Sequence, residues 1–167
     1  ERVRPTQRVV LNDIIQSTCH SLQPLALQAG VKFEFESPEL PVEIYGDSDQ
    51  LTQVFTNIIG NALKYGASGG RITLRMTTVA REAALRAPGV RLQVIDYGAG
   101  IDPVHLPRLT ERFYRVDGHR SRELGGTGLG LAIVKHIINR HRGKLNIESA
   151  LGEGTTVTVM LPTEPLS

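Results

Sequence analysis

The chain has one cysteine, no tryptophan, and only four tyrosines and four phenylalanines. A lone Cys19 excludes an internal disulfide framework and suits a reducing compartment. So few aromatics leave no stacking platform for single-stranded nucleic acid, and a net charge of +2 is too small to argue for a nucleic-acid partner. No apolar run approaches the length of a membrane span or of a signal peptide. A cytoplasmic location without nucleic acid is the expectation.

What is present suffices for one compact domain. The sequence has 167 residues, 40% of them hydrophobic, with no internal repeat or low-complexity segment. The only methionines are Met76 and Met160, so the chain is expected to be a segment of a longer protein.

Patterning predicts the order of elements. Residues 7–11 read as a strand, and Asn12 or Asp13 caps a helix to about Ala29 that Pro24 should kink or divide. Alternation marks strands over 31–37, 42–46, 71–79 and 90–96, the last two joined by the polar AREAALRAPG. Asp47 or Ser48 caps a helix to about Tyr65. Asp102 and Pro103 begin a short helix within 101–112, and 128–140 is helical again. GKLNIESA and GTTVTVML, separated by LGEG, form a closing hairpin. This order is α+β rather than regular βαβ repetition.

Three stretches carry chemistry. LGGTGLGLAIVK (124–135) crowds Gly125, Gly126, Gly128 and Gly130 before an apolar helix, where a phosphate cradle, a hinge and a plain flexible loop all remain open. Its spacing is neither that of a P-loop nor that of a dinucleotide fingerprint. Five arginines stand against three acids between Arg108 and Glu123, which beside the glycines favours a polyanionic ligand over a merely solvated loop. On the 48–65 helix, Gln50, Gln53, Asn57, Asn61 and Lys64 fall within an arc of roughly 80°. Asparagine is a poor helix former, so Asn57 and Asn61 with Lys64 read as oxygen ligands and a cation rather than as an ordinary solvated face. Asp96 ends an apolar strand before Gly98 and Gly100, where a carboxylate can take a hydrogen bond from an exocyclic amine or simply cap a turn.

Together these stretches resemble the catalytic and ATP-binding domain of bacterial sensor histidine kinases, in the superfamily that includes DNA gyrase, a heat-shock chaperone and MutL. NIIGNALKY (57–65) is similar to the N box, DYGAGI (96–101) to the G1 box, ERFYRVD (111–117) to the F box and GGTGLGLAIVK (125–135) to the G2 box. The four occur in the family's order, within about residues 8–162. The resemblance implies a two-layer α/β sandwich of the Bergerat type: a mixed sheet of about five strands against three helices, a small extra hairpin and a mobile ATP lid. It divides the chain into a linker end (1–7), a lid (109–127) and a tail (163–167) around one catalytic domain.

The resemblance also implies roles. ATP and Mg²⁺ are the expected cofactors, with Asn61 the metal ligand and Asn57, Lys64 and Arg115 the catalytic residues, Arg112 lying near Arg115. Tyr65 faces the adenosine and Asp96 reads the adenine. Gly98, Gly100 and Ile101 line the approach, and Phe113 anchors the lid. Gly126, Thr127, Gly128, Leu129 and Gly130 serve as hinge and cradle. Thr155 approaches the adenine side.

Two departures stand out. Thr110 replaces a bulky apolar residue before the F box, and none of the five histidines lies in a phosphoacceptor context. The acceptor is therefore expected on a dimerisation and phosphotransfer domain upstream, with a response regulator as the next partner. Alone the chain should be monomeric, its parent a homodimer anchored in the inner membrane. Asn57 stands where hydrolysing members carry a glutamate, which disfavours an ATPase of the gyrase kind. A serine-directed anti-sigma kinase usually lacks the F box, and a nucleotide-sensing pseudokinase would not need the intact set.

Overall fold

The computed structural model describes residues 7–111 and 130–164. Strands β1 (Arg8–Val10), β2 (Lys32–Glu36), β3 (Glu43–Tyr45), β4 (Arg71–Glu82), β5 (Ala87–Asp96), β6 (Lys144–Ala150) and β7 (Gly154–Pro162) alternate with helices α1 (Leu11–Ala29), α2 (Ser48–Tyr65) and α3 (Gly130–Arg140). Five strands form a mixed sheet in the order β2-β4-β5-β7-β6, and β1 pairs with β3 in a separate two-stranded sheet. Among the described residues only the β2–β4 pair is parallel.

Alternation decides which face the helices cover. On β4 and β5, Ile72, Leu74, Met76, Leu92 and Val94 are buried, while Arg71, Arg75, Arg91 and Gln93 point the other way. The inward set meets Leu51, Val54, Phe55, Ile58 and Ile59 of α2, Ile14 and Ile15 of α1, and Val134 and Ile138 of α3 in one core. Each such fully buried side chain contributes about 1.5–3 kcal/mol. The result is the expected two-layer α+β sandwich.

Local chemistry explains where the elements differ from the sequence expectation. α1 begins one residue before Asn12, without a side-chain cap. Its first N–H instead donates to the Val42 carbonyl at 2.8 Å, and Asn12 Oδ1 accepts the Val42 N–H at 2.7 Å, tying the helix to the β1–β3 pair. Pro24 does not divide α1, which continues to Ala29 and ends at Gly30 in the left-handed conformation, φ 71°. Pro24 lies on the exposed side, where water can serve the carbonyl that its ring leaves without a donor.

The stretch expected to be a polar connection is mostly strand. β4 and β5 extend to Glu82 and Ala87, with a register shift between Val79 and Glu82. Glu82 is 3% exposed and accepts from Arg91 Nη2 at 2.6 Å and Nε at 3.1 Å, so a charge that reads as loop is a paired, buried group. The helix expected within 101–112 is a short 3-10 turn, Pro103–Arg108, opened by Asp102 Oδ1 accepting the Val104 N–H at 3.1 Å. Pro107 inside it has no N–H to extend an α-helical ladder. Among the described residues no helix is long and apolar enough to cross a membrane.

Candidate functional site

Asp96 ends β5 with its side chain toward the helical layer, and it is 7% exposed. A buried carboxylate needs donors, and it has two: Oδ1 accepts from the N–H of Gly98 at 3.0 Å and of Thr155 at 3.2 Å. Burial nevertheless dominates and pushes the Asp96 carboxyl above its ordinary value, against the pull of those two N–H groups. Desolvation is thus only partly compensated, which leaves the second oxygen suited to a ligand's donor.

The room around Asp96 is made by glycines. Gly66, which ends α2, would bring any Cβ into collision with the Asp96 carboxyl group. A Cβ on Gly98 would sit 2.6 Å from Gly66 Cα, and one on Gly154 (φ 80°) would strike the Asp96 carbonyl. Gly100 (φ 77°) faces the Ala150 carbonyl. The demand for glycine at 98 and 100 therefore comes from protein packed on protein, besides any access it grants a ligand. Gly66 and Gly154 were missed by sequence reasoning: Gly66 follows Tyr65 at a helix end, but what demands a glycine there is the Asp96 carboxyl rather than a left-handed cap.

α2 carries the second half of the site. Asp47 caps it, its Oδ1 accepting the Gln50 N–H at 3.0 Å, and Leu51 to Leu63 bury its apolar face. That leaves Asn57, Asn61 and Tyr65 partly exposed and Lys64 exposed. α3 starts against this stripe: Asn57 Nδ2 donates to the Gly130 carbonyl at 3.3 Å, and a Cβ on Gly130 would touch both carboxamides at ordinary contact distance, 3.8 and 3.9 Å. α2 thus joins the two groups of residues, leading from the carboxamides to Gly66 on the Asp96 carboxyl.

Thr155 completes the rim. Besides donating to Asp96, its hydroxyl is 2.7 Å from Ser149 Oγ, which accepts the Ile101 N–H at 2.7 Å and so anchors the segment after Gly100. Phe113, Arg112, Arg115, Gly126, Thr127, Gly128 and Leu129 lie outside the described residues.

Among the described residues no cluster of three or more His, Cys, Asp or Glu side chains could hold a metal ion. Carboxamide oxygens suit Mg²⁺, which keeps several waters and takes one or two protein oxygens when phosphates supply the others, and the cationic Lys64 suits those phosphates.

The sequence matches the family described as histidine kinase-, DNA gyrase B- and HSP90-like ATPase over residues 46–165. The phosphate regulon sensor protein PhoR of Pseudomonas aeruginosa is 46% identical over 80% of this chain, which spans 29% of that protein. Sensor histidine kinase WalK of Bacillus subtilis is 42% identical over 79% of this chain, which spans 21% of it. Among solved structures, the mycobacterial sensor histidine kinase MprB superposes with a TM-score of 0.78 at 27% identity, covering 98% of this chain and 100% of that one. The chain therefore spans less than a third of these curated relatives but the whole of the MprB structure. With the buried carboxylate, the carboxamide stripe and the mixed sheet in place, the chain belongs to the histidine kinase-, DNA gyrase B- and HSP90-like ATPase family, and it is similar to the corresponding domain of sensor histidine kinases.

Proposed function

We propose that this domain binds Mg-ATP between α2, the end of β5 and the start of α3, and presents its γ-phosphoryl group to a histidine on the dimerisation and phosphotransfer domain of the same protein. The observation that carries the reading is Asp96: a carboxylate 7% exposed, with two backbone donors on one oxygen and a collar of glycines beside the other. In that position it reads adenine by accepting from the 6-amino group, where guanine carries an oxygen that cannot donate. Asn61, with Asn57 next to it, would hold the Mg²⁺, whose contribution is to neutralise phosphate charge. Lys64 offsets further charge, and Tyr65 lies along the adenosine.

Phosphoryl transfer asks the protein mainly for positioning and charge stabilisation. The acceptor imidazole attacks phosphorus with its own lone pair, the N–P bond forms as the bond to the β-phosphate oxygen breaks, and ADP leaves with that electron pair. Neutral imidazole needs no strong local base, which agrees with a carboxamide at Asn57. Within the lid assigned to residues 109–127, Phe113 would serve as anchor and Arg115 would meet the γ-phosphate, with Gly126, Gly128 and Gly130 as hinge and cradle; residues 1–7 would end a linker and 163–167 form a tail. The phosphoryl group then passes to an aspartate of a response regulator. The domain works on the cytoplasmic side, in a homodimeric parent anchored in the inner membrane.

Titration of the 167-residue chain with a non-hydrolysable ATP analogue, with and without Mg²⁺, tests this. Saturable binding that Mg²⁺ strengthens and Asp96→Asn weakens supports it; absence of binding both alone and when joined to the acceptor helices defeats it.

A further inference from the structure

His141 stands one residue beyond α3 and is 4% exposed. Both ring nitrogens are engaged: Nδ1 is 2.8 Å from the Ile137 carbonyl, and Nε2 is 3.0 Å from the Asp47 N–H. A carbonyl only accepts, so Nδ1 carries the proton and the Nε2 lone pair receives the Asp47 N–H, fixing one neutral tautomer. Gly46 packs against the ring without a side chain; a Cβ there would lie 2.7 Å from Leu51 Cδ1 and, more mildly, 3.2 and 3.3 Å from Cδ2 and Nε2 of the ring. Asp47 is the residue that caps α2.

The opposite end of α3 is the contact from Asn57 Nδ2 to the Gly130 carbonyl. Ten residues separate Asp47 from Asn57 and eleven separate Gly130 from His141. At about 1.5 Å per residue, both spans are about 15–17 Å. The two helices are therefore antiparallel, and both ends of α3 meet α2, at its N-terminus and at its middle, through contacts of matching spacing. Val134, Ile137 and Ile138 bury one face of α3, but apolar packing is non-directional and fixes axial register weakly.

We infer that His141 is a positioning residue for the nucleotide site: by tying the C-terminal end of α3 to the capping N–H of α2, it sets where Gly130 stands against Asn57 and Asn61. The effect on nucleotide rests on the function proposed above. Protonation would break the tie, because imidazolium donates from both nitrogens and would point Nε2–H at the Asp47 N–H. The charged groups facing the ring are Asp47, which favours that proton, and Arg140, which opposes it; burial is the larger effect and holds the ring neutral.

Two variants of the full chain separate this from a merely structural role. His141→Phe keeps a ring and removes both polar contacts, while His141→Gln keeps an acceptor for the Asp47 N–H. Amide NMR of Gly130 and of the Asn57 side chain without nucleotide, and the affinity for a Mg-bound ATP analogue, are measured well below the melting temperature. Expected are displaced Gly130 and Asn57 signals and about 5–20-fold weaker binding for Phe, with both restored in Gln. Because nucleotide phosphates also titrate, the acid arm is read as the wild-type to Gln affinity ratio, expected to fall about twofold or more between about pH 7.5 and 5, with the fall coming below the ordinary imidazole value of 6.5 because burial keeps the ring neutral. A folded Phe variant with unmoved signals, or a ratio flat with pH, overturns the inference. If Phe fails to fold, the wild-type to Gln ratio decides. If wild type binds no nucleotide, the proposed function fails, while the Gly130 and Asn57 signals of the Gln and Phe chains still decide the register of α3.

Discussion

Asp96 sets function against stability. Because burial raises its carboxyl above the ordinary 3.8, the folded state holds the proton more tightly than the unfolded chain does. Stability from that source is complete below the ordinary value and is lost as pH rises through the raised one, so at neutral pH the charged carboxylate is a net cost. Asp96→Asn keeps an Oδ1 for the Gly98 and Thr155 N–H groups and removes the charge. The melting temperature at pH 7 is expected to hold or rise, while affinity for an ATP analogue falls about 10–100-fold. Affinity and melting temperature falling together would mark Asp96 as structural. Gly66→Ala is the complementary change, since its methyl would collide with the same carboxyl. Relief requires the end of α2 or Asp96 to move, so a loss of about 1–3 kcal/mol in urea unfolding is expected together with weakened nucleotide binding.

The β4–β5 hairpin is a separate device at the far end of the strand. Arg91 lies five residues before Asp96, about 16–17 Å along β5. Its guanidinium holds the Glu82 carboxyl below the ordinary carboxylate range, the hydrogen bond from Arg91 being the main cause and burial opposing it. Stability from this pair is present above the ordinary value of 4.5 and is lost as pH falls through the lowered one. Arg91→Ala strands a carboxylate that is 3% exposed, so it should destabilise by about 1–3 kcal/mol at neutral pH. The deficit should shrink toward about pH 4, where the stranded Glu82 of the variant can take up a proton, and further as pH falls through the lowered value of the paired one. Urea unfolding at the two pH values measures the difference, and nucleotide affinity should not change, because Arg91 points to the sheet face away from the helices, five residues before Asp96 on β5. A deficit equal at both pH values would mean that the guanidinium acts by packing rather than by charge.

Periodicity and end signals carried most of this architecture: α2, with Asp47 or Ser48 as cap and a twofold division into apolar and carboxamide faces, could be drawn from the sequence. Glu82 could not, since a charged residue in an alanine-rich stretch reads as a turn until a register shift and Arg91 bury it. Nor could Gly66 or His141, whose roles depend on atoms 30 and 94 residues away in sequence, at Asp96 and Asp47. The same long-range closure bears on what the isolated chain can catalyse. Water must be activated to attack phosphorus, and among the polar residues of the α2 stripe the position nearest the start of α3 is Asn57, a carboxamide whose Nδ2 already donates to Gly130. A carboxamide cannot take a proton from water at neutral pH, whereas an acceptor imidazole brings its own lone pair. The chain alone is therefore expected to bind Mg-ATP without sustained hydrolysis and to form phosphohistidine only when joined to its acceptor helices. Phosphate release under multiple-turnover conditions measures this: steady hydrolysis by the isolated chain, abolished by Asp96→Asn, would place it with the hydrolysing branch of the family.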